Sequence, residues 1–316
     1  MNDLRRHALD TAVGVALLFM PFWMGALGGY TELASRILVM GLAAMSLNFL
    51  LGFTGVLSFG HAAYFGVGAY GAAMGIRYLG LGTIPAMALG ALAGLVAAAI
   101  IGALIVRRRG VYFAMVTIAF GQVFYFLAFR WNSVTGGDDG LTGWHRQPID
   151  FGAFRLDIFG NDKAFYYFAL AIFAICVAAM AALLASPFGR TLTAIRENER
   201  RARFLGIPID FHIWLSFVIS CLFVSVAGAL YALLNNFTDP RALRFDLSGN
   251  LVIMAVLGGM RSFWGPLIGA AIFVAMQDFV SSRTENWMSV IGLMFILVVR
   301  FFPRGVLGLL RGGASA

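Results

Sequence analysis

Long apolar runs separated by short glycine-rich or polar breaks dominate this chain. A helix needs about 20 apolar residues to cross a bilayer, and most of the runs approach that length. The pattern therefore predicts an all-α, polytopic membrane protein with about ten transmembrane helices. The predicted spans are 9–28, 33–51, 57–76, 83–106, 111–131, 164–185, 212–234, 248–260, 264–281 and 286–302. The run at 248–260 is short, so it either crosses the membrane or is re-entrant.

The sequences around two of the breaks are weakly similar to each other. Leu51-Gly52 is followed by glycines at 60 and 66, and Leu257-Gly258 is followed by glycines at 265 and 269. In both places the pattern predicts one helix that ends at glycine and another that returns. Transporters often place broken helices of this kind on the substrate path. The alternative is chance, because the chain holds 38 glycines.

Composition agrees with a membrane protein and excludes a soluble fold. The chain is 60% hydrophobic and only 12% charged, whereas a soluble domain is about 25% charged. The net charge of +8 is then charge on membrane loops and does not indicate nucleic-acid binding.

The positions of arginine set the predicted orientation. Basic clusters mark the cytoplasmic side of a membrane protein. The segment 132–163 then lies outside, and one transmembrane domain covers 1–316 with both termini inside. The clusters that fall inside are Arg5 and Arg6, Arg107–Arg109, the loop 186–211, and Arg304 and Arg311.

Candidate catalytic chemistry is sparse. The four histidines are scattered, and no GxxxxGK[ST] phosphate-binding loop is present. Cys176 and Cys221 lie in apolar stretches, which argues against a disulfide framework or a metal site. The spans also carry few acidic residues, although ion-driven transporters usually keep several. We therefore expect no enzyme, no cofactor and no metal, and we expect another chain to supply the energy for any pumping.

The loop 186–211 is the strongest polar feature. It begins with Ser186-Pro187, a helix-start signal, and it stops at Gly206 before a proline. The spacing predicts a single amphipathic helix over 189–206, with arginines on the face opposite the apolar one. The residues predicted to share the face opposite these arginines are Leu192, Ile195, Glu199 and Ala202. An alternative is a membrane-surface anchor, but the face holds few large apolar residues, so a protein-docking helix is favoured.

This loop resembles the EAA-type coupling loop of bacterial ABC importer permeases. It is most similar to the branched-chain amino acid permease family (LivM type), in which Leu-Gly-Ile follows the helix. Similar stretches occur in family order at 52–70 (GFTGVLSFGHAAYFGVGAY), 110–121 (GVYFAMVTIAFG), 135–143 (TGGDDGLTG) and 255–269 (AVLGGMRSFWGPLIG). The resemblance covers about 35 to 310. The loop departs from the wider EAA pattern at Glu197-Asn198-Glu199, which puts in doubt how the last two of these residues meet a partner.

The resemblance implies a membrane subunit that works with other chains. These are a second homologous permease subunit, two cytoplasmic ATPase subunits and a periplasmic substrate-binding protein, with membrane lipid around the spans. The loop would sit in a cleft of one ATPase and act as a lever. Its implied coupling residues are Gly189, Arg190, Ile195, Arg196, Glu197, Asn198, Ala202, Leu205 and Gly206.

Two further groups of residues are candidates for contact with substrate or receptor. The break after the second span and the stretch 110–122 predict a translocation path lined by Asn48, Thr54, Ser58, His61, Thr117 and Gln122. The alternative is that these side chains make hydrogen bonds between helices. In the outer loop, Asp138, Asp139 and Trp144 are candidates for contact with the binding protein, and the alternative there is a solvated hairpin.

The predicted function is import of branched-chain or related amino acids across the bacterial inner membrane, driven by ATP. Within the family, the alternatives are urea, short amides or small aromatic acids as substrates. The alternative from another class is a secondary transporter or a channel.

Overall fold

The structure, a computed structural model, describes residues 11–26, 29–150, 155–156, 160–260, 262–284, 286–301 and 305–306. Most of these residues are helical. Arg5, Arg6, Asp157, Arg304 and Arg311, some of which mark the predicted orientation, lie outside the described residues.

Thirteen helices and one minimal hairpin have bounds within the described part of the chain, and residues 11–18 are also helical. The helices are α1 (Met20–Ala26), α2 (Thr31–Thr54), α3 (His61–Leu79), α4 (Thr83–Ile105), α5 (Val111–Arg130), α6 (Asn132–Thr135), α7 (Asp162–Ala185), α8 (Pro187–Glu197), α9 (Glu199–Phe204), α10 (Ile209–Asn235), α11 (Phe245–Gly258), α12 (Gly265–Ser281) and α13 (Trp287–Phe301). Short 3₁₀ turns occupy Gly137–Asp139 and Pro240–Leu243. Two-residue strands β1 (Ile149–Asp150) and β2 (Arg155–Leu156) pair antiparallel.

Five of the described helices, α2, α4, α5, α7 and α10, are long and apolar enough to cross a membrane by length and composition. Helices α11 and α12 are apolar but shorter. The all-helical membrane fold predicted from the apolar runs is therefore confirmed in class, while the number of about ten crossings stays a prediction.

The core forms around α10, which packs against α2, α3 and α4. In the most apolar window of α2, 89% of residues are buried, against 28–33% for α4, α5 and α7. Glycines allow the close approach: a Cβ at Gly68 would collide with the Ser225 carbonyl, and one at Gly228 would collide with the Phe65 carbonyl. Small residues are the usual means by which membrane helices pack closely. The less buried helices present their apolar side chains outward, as lipid contact requires.

The bundle has two distinguishable ends. One, here called the Arg-rich end, holds the α4–α5 turn with Arg107–Arg109 and the segment 186–208, which are joined by an ion pair between Arg109 and Glu199. The other, here called the loop end, holds the segment between α5 and α7. There Arg77 of α3 donates to the Thr142 carbonyl at 2.6 Å, and Leu141 forms a β-bridge with Thr238.

Candidate functional site

The segment at the Arg-rich end is two helices, α8 and α9, and the prediction of one continuous helix over 189–206 is wrong. The break falls at Asn198, whose backbone is extended (φ −157°, ψ 96°). Its side chain accepts a hydrogen bond from the Arg201 N–H at 2.9 Å. Asparagine is a strong N-cap residue, so this position starts a new helix. The departure from the EAA pattern at Asn198 is therefore a structural cap.

The segment has a buried face and an exposed face. Gly189, Leu192, Ile195 and Ala202 are buried, and a Cβ at Gly189 would collide with the backbone of Leu184. The exposed side carries Arg190, Glu197, Asn198, Leu205 and Gly206. Gly206 has φ +80°, a left-handed conformation that glycine adopts without strain.

Two apolar side chains at the end of α9 point into the open. Phe204 is 91% exposed and Leu205 is 75% exposed. Large exposed apolar side chains beside charged ones mark interaction surfaces. Phe204 was not among the predicted site residues, although its position next to Leu205-Gly206 could have identified it.

A concave surface lies between the two helices on their exposed side. It encloses about 600 Å³ and is lined by Glu197, Asn198, Glu199, Arg200, Arg203 and Phe204. Polar, charged and aromatic groups converge there, as they do at sites that receive a partner's side chains.

Arg196 points into the bundle, away from that surface. Its guanidinium donates to the backbone carbonyl of Gly52 in the last turn of α2. Carbonyls at the end of a helix lack partners within the helix, and a cation there also interacts favourably with the helix dipole. Arg196 therefore ties α8 to the end of α2.

Arg109 binds α9, the second helix of the segment. Its Nε lies 3.2 Å from Glu199 Oε1, and its Nη2 pairs with Asp210 at the start of α10. Glu199 also pairs with Arg203, at 3.1 Å. The carboxylate of Glu199 thus serves to fix α9 against the α4–α5 turn, which the amphipathic pattern alone did not indicate.

The first break, residues 55–60 between α2 and α3, gathers three of the six predicted path residues. His61 Nε2 lies 2.8 Å from Ser220 Oγ and its Nδ1 lies 3.0 Å from Ser58 Oγ. Ser220 donates its own proton to the Ser46 carbonyl at 2.5 Å. Because that hydroxyl can then only accept from the imidazole, we assign the His61 proton to Nε2.

Hydroxyls from two other helices complete the first break. Thr117 Oγ1 of α5 accepts from the Phe59 N–H at 3.2 Å, and Ser248 Oγ of α11 accepts from the Ala62 N–H at 2.8 Å. The start of a helix leaves N–H groups without partners. Here neighbouring helices satisfy them.

The first break lies deep in the bundle. Helix α10 starts at the Arg-rich end, where Asp210 meets Arg109. Ser220 is about 16 Å along a helix that is about 40 Å long, at 1.5 Å per residue. Since His61 touches Ser220, α3 begins near the middle of the bundle.

The other three predicted path residues lie elsewhere on α2 and α5. Asn48 Nδ2 donates to the Ser262 carbonyl at 3.3 Å, within the second break, residues 259–264 between α11 and α12. Thr54 is buried at the end of α2. Gln122 is half-buried on α5.

The outer-loop residues predicted to contact the binding protein differ in their exposure. Asp138 and Asp139 are exposed in a 3₁₀ turn. Trp144 is only 3% exposed, and its indole N–H donates to the Leu141 carbonyl at 3.0 Å. The aromatic ring therefore packs the loop onto the bundle.

Four charged residues that were not predicted lie between α10 and the first turn of α11. They are Asp239, Arg241, Arg244 and Asp246, and all but Asp239 are exposed. The charges directly before an unusually short apolar run were the signal available in the sequence.

No group of His, Cys, Asp or Glu that could hold a metal ion occurs among the described residues. Cys176 and Cys221 are free thiols buried in α7 and α10.

Comparison with known proteins places the whole arrangement in context. A family described as branched-chain amino acid transport system / permease component matches residues 29–299. The high-affinity branched-chain amino acid transport system permease protein LivM of Salmonella typhimurium is 27% identical, covering 98% of this chain and 77% of that protein. Permease protein BraD of Pseudomonas aeruginosa is 25% identical, covering 84% of this chain and 91% of that protein. LivH of Salmonella typhimurium is 34% identical over 39% of this chain and 40% of its own length. No solved structure matches.

Proposed function

Since this chain belongs to the branched-chain amino acid transport permease family, we propose that it imports branched-chain amino acids by rocking its helices under the pull of ATPase subunits docked at α8 and α9. It is a permease subunit of a multi-pass transporter of the inner membrane. The observation that carries the proposal is the α8–α9 segment. It presents Phe204, Leu205 and a charged concave surface outward while Arg196 and Arg109 bind it to the bundle.

The proposed substrate class follows the names of the relatives. LivM and BraD are both described as branched-chain amino acid transport permease proteins. Related amino acids share the same zwitterionic head, so a site that binds this head would accept several of them. Selection would then lie mostly with the periplasmic substrate-binding protein.

The proposed arrangement is one permease domain over 1–316 with about ten crossings. The Arg-rich end, including 186–211, faces the cytoplasm, because basic loop residues favour that side. The loop end, including 132–163, faces the periplasm, and both termini are cytoplasmic. Asp138 and Asp139 are the proposed contacts for the binding protein there, with Trp144 holding the loop in place.

The proposed partners are four kinds of molecule. Similarity to LivM over nearly the whole chain and to LivH over part of it supports pairing with a second homologous permease. Two ATPase subunits hydrolyse ATP below the Arg-rich end. The binding protein delivers substrate above the loop end, and lipid covers α4, α5 and α7.

The exposed and buried faces of α8 and α9 divide the proposed coupling residues by role. Arg190, Glu197, Leu205 and Gly206 are on the side that meets an ATPase. Gly189, Ile195 and Ala202 pack the segment onto the bundle. Asn198 caps α9, and Arg196 carries displacement of α8 to α2 through the Gly52 carbonyl.

The test is replacement of the exposed aromatic anchor. We expect Phe204→Ala to weaken co-purification of the ATPase subunits at least tenfold and to lower ATP-dependent uptake in proteoliposomes to a similar degree. A buried aromatic at the centre of an interface typically contributes about 2 kcal/mol or more. The control is Phe126→Ala, which removes an exposed phenylalanine from α5, away from the segment.

Two results would contradict the proposal. One is ATPase co-purification with Phe204→Ala equal to that with Phe126→Ala. The other is accumulation of substrate against a gradient by this chain alone, in vesicles that hold no ATPase.

A further inference from the structure

The chain between α10 and α11 enters the bundle without forming a regular helix. Thr238 is still at the loop end, where it bridges Leu141. The following 3₁₀ turn, Pro240–Leu243, packs on α3, since a Cβ at Gly66 would collide with Leu243. Phe245, at the start of α11, then meets Phe59 of the first break, with ring centroids 5.6 Å apart.

The start of α11 therefore lies at the depth of the first break. Ser248 of α11 accepts from the Ala62 N–H, and the neighbouring His61 touches Ser220. Ser220 is about 16 Å from the Arg-rich end of α10, which is about 40 Å long. Arg244 and Asp246 are within one helical turn of Ser248. They consequently lie close to the middle of a hydrocarbon layer about 30 Å thick.

Both of these charged side chains face outward from the bundle. Arg244 Nη2 and Asp246 Oδ2 form an ion pair at 2.6 Å, with 53% and 60% of the two side chains exposed. Arg241, nearer the loop end, is also exposed. Charged groups and non-helical backbone at membrane depth are tolerated only against protein or a water-filled cavity. Lipid is therefore excluded as the neighbour of this surface.

We propose that residues 239–246 line an aqueous cavity open toward the loop end, and that Arg244 and Asp246 bind the two charges of a zwitterionic amino acid there. This deepens the proposed function and rests on it. A guanidinium pairs with a carboxylate through two parallel hydrogen bonds, so Arg244 takes the α-carboxylate and Asp246 takes the α-ammonium. Substrate then replaces the ion pair that the two residues make with each other.

The same place offers an apolar surface for the substrate's side chain. Phe245 is exposed and Phe59 is half-buried beside it. The resident ion pair is partly solvated, so exchanging it for substrate has a small net gain. Weak binding suits a site from which the ligand must leave.

The first experiment measures access of water to this surface and needs no ATPase activity. Asp246→Cys is compared with Leu92→Cys, an exposed position on the apolar helix α4. In the assembled importer in vesicles, we expect a membrane-impermeant thiol reagent to label position 246 at least tenfold faster than position 92. Equal labelling rates at positions 246 and 92 would overturn the proposal of an aqueous cavity.

The second experiment separates substrate contact from subunit assembly. Arg244→Gln and Asp246→Asn are compared with Arg130→Gln, an exposed arginine at the end of α5. We expect each of the first two to lower uptake at least tenfold. Co-purification of both partner subunits and stimulation of ATP hydrolysis by loaded binding protein should stay within threefold of wild type. Uptake unchanged from Arg130→Gln would overturn the substrate role.

Loss of partner co-purification in the Arg244 and Asp246 variants would instead mean that the pair faces the second permease, and this too overturns the proposal. Failure of the proposed function gives a different pattern. In that case the wild-type chain would bind no ATPase and show no ATP-dependent uptake, while the thiol-labelling comparison would still report on the cavity.

Discussion

The first break and the second break interrupt pairs of helices in physically different ways. Each contains a glycine at positive φ, Gly55 at 80° and Gly259 at 110°. At the first break, hydroxyls of Thr117 and Ser248 bond the freed backbone N–H groups. At the second break, the helices approach more closely through their backbones: a Cβ at Gly258 would lie 1.7 Å from the Gly265 carbonyl oxygen, whereas one at Gly60 in the first break would lie 2.7 Å from the Thr117 carbonyl oxygen.

This difference indicates which break can rearrange. A hydrogen bond to a hydroxyl can be exchanged for one to water or substrate at little cost. Backbones in van der Waals contact can only separate by losing packing. The first break is therefore suited to movement during transport, and the second is suited to act as a fixed point.

The largest expected effect comes from filling the contact between α11 and α12, the two helices that flank the second break. Gly269→Ala would push a Cβ into the Met254 carbonyl, and we expect it to destabilise the permease by about 3 kcal/mol, as severe overpacking does. That loss corresponds to a fall in melting temperature of roughly 5 °C, measured on purified protein in detergent. Gly249→Ala is the control, because nothing lies within 4 Å of its Cβ. Equal melting temperatures for the two variants would contradict the fixed-point interpretation.

An intermediate effect is expected from removing a hydrogen bond beside the first break. Ser220→Ala leaves the buried His61 Nε2–H without its acceptor, which should cost about 1–3 kcal/mol. Ser216→Ala is matched in helix and burial, but its hydroxyl bonds only the Ile213 carbonyl of its own helix. We expect that variant to lose less than about 1 kcal/mol. Thermal unfolding of both variants tests whether the bond between helices matters, and equal losses would argue against it.

The sequence carried enough information for the class of fold and for part of the site. Apolar runs about 20 residues long predict spanning helices directly, because the backbone must be satisfied internally in lipid. The burial of Leu192 and Ile195 followed from their spacing in α8. The proximity of Ser58 and His61 followed from their positions three residues apart in the chain.

Other features depended on tertiary structure that no local pattern contains. The sequence could not show that Asn198 would cap a second helix, because Asn is tolerated within a helix as well as at its start. It could not show that Arg196 points inward, because that depends on where α2 ends. The depth of Arg244 and Asp246 depends on α11 packing against the start of α3, which lies 186 residues earlier in the chain.

The smallest expected effect on stability comes from a contact near the end of α2, where Gly52 lies between the second break and α8. Gly52 lies against the Met260 carbonyl of the second break, and its own carbonyl receives the Arg196 guanidinium. Arg196→Gln should lose no more than about 1 kcal/mol, the usual size of a cation's interaction with a helix end.

Coupling should suffer more than stability from the same change. If displacement of α8 reaches the helices through Arg196, the number of ATP molecules hydrolysed per amino acid imported should rise severalfold in Arg196→Gln. Arg201→Gln removes an exposed arginine from α9 and should leave that ratio within a factor of two of wild type. Arg196→Lys should restore part of the coupling, since it keeps a cation at the end of α2. An equal rise in the Arg196→Gln and Arg201→Gln variants would mean that the charge of the whole segment matters, and that its bond to α2 does not.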